Sequence, residues 1–122
     1  MATVRYIVRD VDAAVGFYRD RLGFVLEQQF GPAMAIVRRD DLSLWLAGPQ
    51  ASASRPIPDG RTPEPGGWAR IVVEVADLDA TVAELRSTPG TFRSDIIAGP
   101  GGRQCLIEDP SGNAVELFEP RR

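Results

Sequence analysis

The chain has 122 residues, 43% apolar and 25% charged, which suits one compact domain or two very small modules sharing a core. Its net charge is −3, and all 14 cations are arginines interleaved with acids, which leaves no basic stripe for nucleic acid. There is no histidine, the commonest metal-ligating side chain and the usual general base near neutral pH, so a Ser-His-Asp triad and any His-ligated zinc or iron site are excluded.

No apolar run approaches the roughly 20 residues needed to cross a bilayer, and the N-terminus carries no basic segment followed by an apolar stretch. No membrane association and a cytoplasmic location are therefore expected. The one cysteine, Cys105, excludes an internal disulfide. It reads as a small buried apolar residue in preference to a reactive thiol.

In chain order, residues 3–8 alternate Val4, Tyr6 and Val8 on one face with Thr3, Arg5 and Ile7 on the other, the period of a strand. Val11, Val15, Tyr18 and Leu22 then fall at i, i+4, i+7 and i+11, one apolar stripe along a helix. Asp10 stands where it can cap the free N–H groups of the first turn, and Gly23 where the helix ends. Strand signals follow at Phe24–Gln29, Met34–Arg38 and Leu42–Ala47, separated by the turn-forming pairs Gly31-Pro32 and Asp40-Asp41. Residues 48–68 form a connector rich in proline, glycine and serine. It reads first as a linker and second as a partial lid.

The order then recurs. VRDVDAAV at 8–15 and VADLDATV at 75–82 match at five of eight positions with an offset of 67. A strand pattern at 69–75 precedes the second copy, with Ala69, Ile71, Val73 and Val75 on one face and Arg70, Val72 and Glu74 on the other. A helix stripe of Leu78, Val82 and Leu85 follows, with Asp77 as its expected cap and Gly90 just past its expected end. Strand signals at Ser94–Ala98, Arg103–Glu108 and Ala114–Phe118 complete it. The fold class is therefore α+β: two βαβββ modules, 3–47 and 69–118, whose curved mixed sheets are expected to form a shared cavity. The domain division is 1–47, connector 48–68, and 69–122.

One helix covers one face of each four-stranded sheet. Leu42, Leu44 and Leu46 should face the first helix, and Val115 and Leu117 the second. The opposite faces then carry Thr3, Arg5 and Trp45, and Arg70, Val72, Glu74, Ala114, Glu116 and Phe118. That mixed polar and aromatic surface either lines a ligand cavity or faces water.

The stretch VRDVDAAVGFYRDRLGF (8–24) and the hairpin EDPSGNAVELFEP (108–120) resemble the vicinal oxygen chelate superfamily, which includes glyoxalase I, bleomycin-resistance proteins and extradiol dioxygenases. The resemblance covers nearly the whole chain, and the DPxGNxxEL pattern is its most specific part. It implies a divalent metal held by four side chains, from the first and last strand of each module. Carried over, those positions are Thr3, Trp45, Arg70 and Glu116, of which only Glu116 keeps a metal-ligand type. A guanidinium has no acceptor for a cation, so the metal site reads as lost and no cofactor is expected.

Arg70 and Glu116 should converge as an ion pair in its place, either touching a ligand or serving only to neutralise two partly buried charges. Trp45 and Trp68 offer flat walls for an aromatic or cationic ligand, with core packing and closure of the linker as the structural alternatives. Phe30, Met34, Arg103 and Phe118 are weaker pocket candidates. The expected function is metal-independent binding of a small organic molecule, such as an antibiotic or natural product, without turnover. The alternatives are a metal-free enzyme using Glu116 or Glu74 as general base for isomerisation or proton abstraction, a glyoxalase-like enzyme of unknown substrate, and a structural or regulatory module. The resemblance also implies a homodimer.

Overall fold

The computed structural model describes residues 1–87 and 90–121. The chain divides into two compact units, Met1–Gly66 and Gly67–Arg122, so most of the proline-rich connector falls with the first.

The first unit is built from β1 (Ala2–Ile7), α1 (Val11–Leu22), β2 (Val25–Phe30), β3 (Met34–Arg39) and β4 (Leu42–Ala47). Its sheet order is β1-β4-β3-β2, with β1 parallel to β4 and the other neighbours antiparallel. The crossover through α1 brings the first strand beside the last. Asp10 caps α1 by accepting from the Ala13 N–H at 3.1 Å. Gly23 ends it at φ 73°, a conformation that is cheap only without a Cβ. The stripe of Val11, Val15, Tyr18 and Leu22 is buried against Val37, Leu44 and Leu46, and the ring of Phe24 meets Tyr18 edge-on. The connector contributes a single 3-10 turn, Ser52–Ser54.

The second unit repeats this order with β5 (Ile71–Glu74), α2 (Leu78–Arg86), β6 (Thr91–Phe92), β7 (Ile97–Gly99), β8 (Gly102–Glu108) and β9 (Ala114–Pro120). Here β5 lies parallel to β9, β9 antiparallel to β8, and β6 and β7 both pair with β8. Leu78, Val82 and Leu85 on α2 are buried, as are Ile71, Val73, Cys105, Ile107, Val115 and Leu117 on the sheet. Asp77 caps α2 through the Ala80 N–H at 3.0 Å. The two βαβββ modules expected from the repeat are thus present.

Two local expectations are corrected. In place of the single strand expected at 94–98 there are two short ones, β6 ending at Phe92 and β7 beginning at Ile97. The N–H groups of Arg93 and Ser94 both reach the Leu106 carbonyl, and the Ser94 hydroxyl accepts from the Leu106 N–H, so the edge bulges between the two pieces. The second helix stops at Arg86, with Ser87 as a right-handed cap whose hydroxyl bonds the Glu84 carbonyl, and so ends before Gly90. Among the described residues, no helix is long and apolar enough to cross a membrane.

Candidate functional site

Register decides which side chains share a face. In the first unit Arg5 lies opposite Trp45, and Trp45 opposite Ile36, so these three form one row on the face away from α1. Thr3 is two residues before Arg5 on the same face, with Ser43 as its neighbour. The Arg5 guanidinium sits 5.0 Å from the Trp45 ring centroid, a cation–π contact. Phe30 and Met34, paired with each other, lie on this face opposite Ala47.

In the second unit the equivalent row is Val72, Glu116 and Leu106, with Glu74, Phe118 and Gln104 forming the next. The repeat offset carries Arg5 onto Val72. The ladder pairs Arg5 with Trp45 and Val72 with Glu116, so Trp45 and Glu116 occupy the same rung of their two modules.

Arg70, at the entrance of β5, reaches Glu116 on β9. Its Nη2 is 3.0 Å and its Nε 3.1 Å from the same oxygen, Oε1. The side chains are 30% and 13% exposed, and Val72 and Leu106 flank the carboxylate along its row. Partial burial between apolar neighbours strengthens such a charged bond relative to the same pair in water.

Trp68 takes a different place. Its indole is 71% exposed, and the Arg93 guanidinium stacks on it at 4.7 Å. Arg93 is itself tied by Nε to Glu108 Oε2 at 2.6 Å, by Nη1 to the Gly67 carbonyl at 2.7 Å and by Nη2 to the Gly112 carbonyl at 2.9 Å. This knot fastens the start of the second unit to the 109–113 turn. In that turn the buried Asp109 Oδ1 accepts from the Ser111 and Asn113 N–H groups, and Oδ2 accepts from the Asn113 amide. The sequence reading missed Arg93, because the role depends on the bulge between β6 and β7. It also missed Leu106 and Gln104, whose face follows from the alternation of β8 once the turn at 109–113 fixes the register.

Arg103 does not share the face of Glu116. It has the parity of the buried Cys105 and lies on the α2 side, directly opposite Glu119. Its Nη2 bonds Asp79 Oδ2 at 2.8 Å and Glu119 Oε2 at 2.9 Å, while Glu119 Oε1 accepts from the Leu78 N–H at 3.1 Å in the first turn of α2. The Arg103 bonds hold the Asp79 carboxyl below the usual range. The Leu78 N–H first, and Arg103 second, do the same for Glu119. Bonds to Asp79 and then Glu119 raise Arg103 further above its ordinary value. A concavity of about 530 Å³ adjoins Arg103, Glu119 and Arg121. Arg103 and Glu119, on the wall of this hollow, are bonded to each other and to α2.

Among the described residues, no group of three or more His, Cys, Asp or Glu is placed to hold a metal ion. Residues 1–117 match the family model of the Glyoxalase/Bleomycin resistance protein/Dioxygenase superfamily. Three solved structures illustrate the likeness. A superfamily member from Sphaerobacter thermophilus is 29% identical, with 98% of this chain and 95% of that one covered and a TM-score of 0.75. TnmS3, an antibiotic binding protein from a Streptomyces species, is 27% identical, with coverage of 98% and 93% and a TM-score of 0.73. The bleomycin-binding protein of Streptomyces verticillus, solved with copper(II)-bleomycin, is 26% identical, with coverage of 98% and 95% and a TM-score of 0.65.

Proposed function

Because the chain belongs to the glyoxalase/bleomycin resistance protein/dioxygenase superfamily, we propose that it binds a small organic molecule, an antibiotic or other natural product, without a metal ion and without turnover. The observation that carries this reading is the Arg70 fork on Glu116 Oε1. The four positions at which the family resemblance implies metal ligands hold Thr3, Trp45, Arg70 and Glu116. An indole N–H and a guanidinium are donors only and offer a cation nothing. The remaining carboxylate already has an arginine on one of its oxygens. This donor set does not fit a divalent metal.

What remains is a set of recognition groups: an ion pair beside Val72, Glu74, Leu106 and Phe118 in one unit, and Thr3, Arg5 and Trp45 in the other. Planar aromatic and charged groups on a sheet suit binding by stacking and hydrogen bonding. Two relatives named for antibiotic binding, at 26% and 27% identity, support the same class of ligand. Glu116 as a general base is the lesser reading, since its neighbours along the row, Val72 and Leu106, supply no second acid–base group. The reading includes a homodimer in the cytoplasm.

Native mass spectrometry of the protein as purified tests this. The expected result is a dimer free of stoichiometric divalent metal, with any retained organic compound unchanged in mass after release. Arg70→Ala should lose that compound while keeping a cooperative thermal transition. A stoichiometric metal that disappears in Glu116→Ala overturns the proposal.

A further inference from the structure

We propose that Arg93 is a positioning residue for the Arg70–Glu116 pair. It directs Arg70 onto Glu116 by tying the entrance of β5 to the turn before β9 and by keeping a rival carboxylate, Glu108, occupied. The inference rests on the binding reading above, in which that pair meets the ligand, and adds a residue that governs the pair from outside it.

Arg70 stands one residue before the first rung of the β5–β9 ladder, Ile71 opposite Val115. The ladder therefore holds its backbone on one side only. On the other side the chain enters through Gly66 and Gly67, at φ 111° and 84°. A Cβ at Gly67 would meet nothing within 4 Å, and the Trp68 indole is exposed, so packing does not fix this entrance. Among the described residues, the hydrogen bond of the Gly67 carbonyl and the ring contact of Trp68 both go to Arg93, at 2.7 Å and 4.7 Å.

The other end of the tether is firm. Arg93 Nη2 bonds the Gly112 carbonyl at 2.9 Å, four positions before Glu116. That turn is braced by the buried Asp109 side chain, which accepts from Ser111 and Asn113. One planar guanidinium thus fixes Gly67, three positions before Arg70, relative to Gly112. Its donors have a set geometry, which a flexible ammonium lacks.

Arg93 also removes a competitor. Continuing the register, Arg70 comes level with Ala114, and Ala114 pairs with Glu108 on β8. Two strand spacings, roughly 10 Å between backbones, are a span that an arginine and a glutamate side chain can bridge. Glu108 and Leu106 are two apart on β8, so Glu108 shares the face of Glu116. The bond from Arg93 Nε at 2.6 Å commits Glu108, and Arg70 meets Glu116 without competition from it. Truncating Arg93 frees the entrance and the rival carboxylate together.

Arginine side-chain NMR on the whole isotope-labelled chain tests this through the Arg70 Nε–H, identified by its loss in Arg70→Lys. In the wild type this proton is bonded to Glu116 Oε1 and is protected from exchange. In Arg93→Ala its exchange should quicken about tenfold, the factor that one hydrogen bond to a charged group represents, while the ladder amides of Val73 and Leu117 stay protected. Arg93→Lys should lose most of the protection as well. Asp77→Ala removes the cap of α2 and destabilises the unit by a route that leaves the tether alone, so the Arg70 proton should keep its wild-type exchange there.

Wild-type exchange of the Arg70 proton in Arg93→Ala, quickening only in step with the ladder amides, or equal quickening in Asp77→Ala overturns the assignment. Should Arg93→Ala not fold, Arg93→Lys decides by the same criteria. The pair is read here without any ligand. If Arg70→Ala retains its compound in native mass spectrometry, the binding function falls while the positioning role stands.

Discussion

Replacing Arg93 with alanine removes the knot that fastens the second unit, and its cost can be worked from the contacts. The side chain is 16% exposed and makes one bond to the Glu108 carboxylate at 2.6 Å and two to the Gly67 and Gly112 carbonyls at 2.7 Å and 2.9 Å. Hydrogen bonds involving a charged group contribute about 1.5–3 kcal/mol each when buried. Water can re-solvate Glu108 and the Gly67 carbonyl after truncation, so roughly 1 kcal/mol per bond is a fair discounted value, about 3 kcal/mol in all. The cation–π contact with the exposed Trp68 adds about 0.5 kcal/mol. In a domain of this size that lowers Tm by about 10 °C.

Urea unfolding followed by circular dichroism gives the free energy. Acrylamide quenching of tryptophan fluorescence reports whether the indole of Trp68 has lost its stacking partner. Arg93→Lys should recover less than half, because an ammonium cannot present three fixed donors to three divergent acceptors. A loss below about 1 kcal/mol for Arg93→Ala would refute the account of these three bonds as a clamp. So would full additivity of Arg93→Ala with Glu108→Ala in a double-mutant cycle.

The cluster of Asp79, Arg103 and Glu119 makes stability acid-sensitive. Both carboxyls lie below their ordinary values in the folded chain, so their contribution is complete above the unfolded values and is lost as pH falls through the folded ones. Unfolding free energy should therefore decline below about pH 4. Arg103→Gln should abolish the part due to Asp79 while leaving Glu119 its Leu78 N–H; an unchanged pH profile would contradict this. Cys105 is fully buried, and burial raises its thiol pKa. Ellman's reagent should accordingly titrate no thiol in the native protein and one after unfolding, and rapid native labelling would show that the β6/β7 edge beside β8 opens.

Much of the fold was legible because each module repeats the same two periodicities around the same capping aspartate. Leu44 and Leu46 announce their face by alternation, and Tyr18 and Leu22 by helical spacing, so the core of each unit follows from pattern alone. The Arg70–Glu116 pair was legible for a different reason. The family resemblance assigns both residues to strand positions, and parallel pairing of β5 with β9 brings them together.

What stayed hidden depended on irregular backbone. The break between β6 and β7 is set by Arg93 and Ser94 sharing one carbonyl, which no alternation encodes. From the sequence Arg103 is a weaker pocket candidate. Only the register of β8 against β9 reveals that it shares a side with Cys105 and works for α2. The end of α2 at Ser87 instead of Gly90 is a similar case, a serine hydroxyl closing the helix where a glycine was the stronger sequence cue.

Setting the first strand of each module beside its last also has a kinetic consequence. Arg70 and Glu116 are 46 positions apart in the chain, yet they form one ion pair. Such a contact forms only after the intervening segment has been ordered and its closure entropy met. On the ribosome, the second unit gains its ion pair only once β9 has emerged, after β5, α2 and β6 to β8, and any truncation before β9 removes the pair before it removes the helix and strands that precede it.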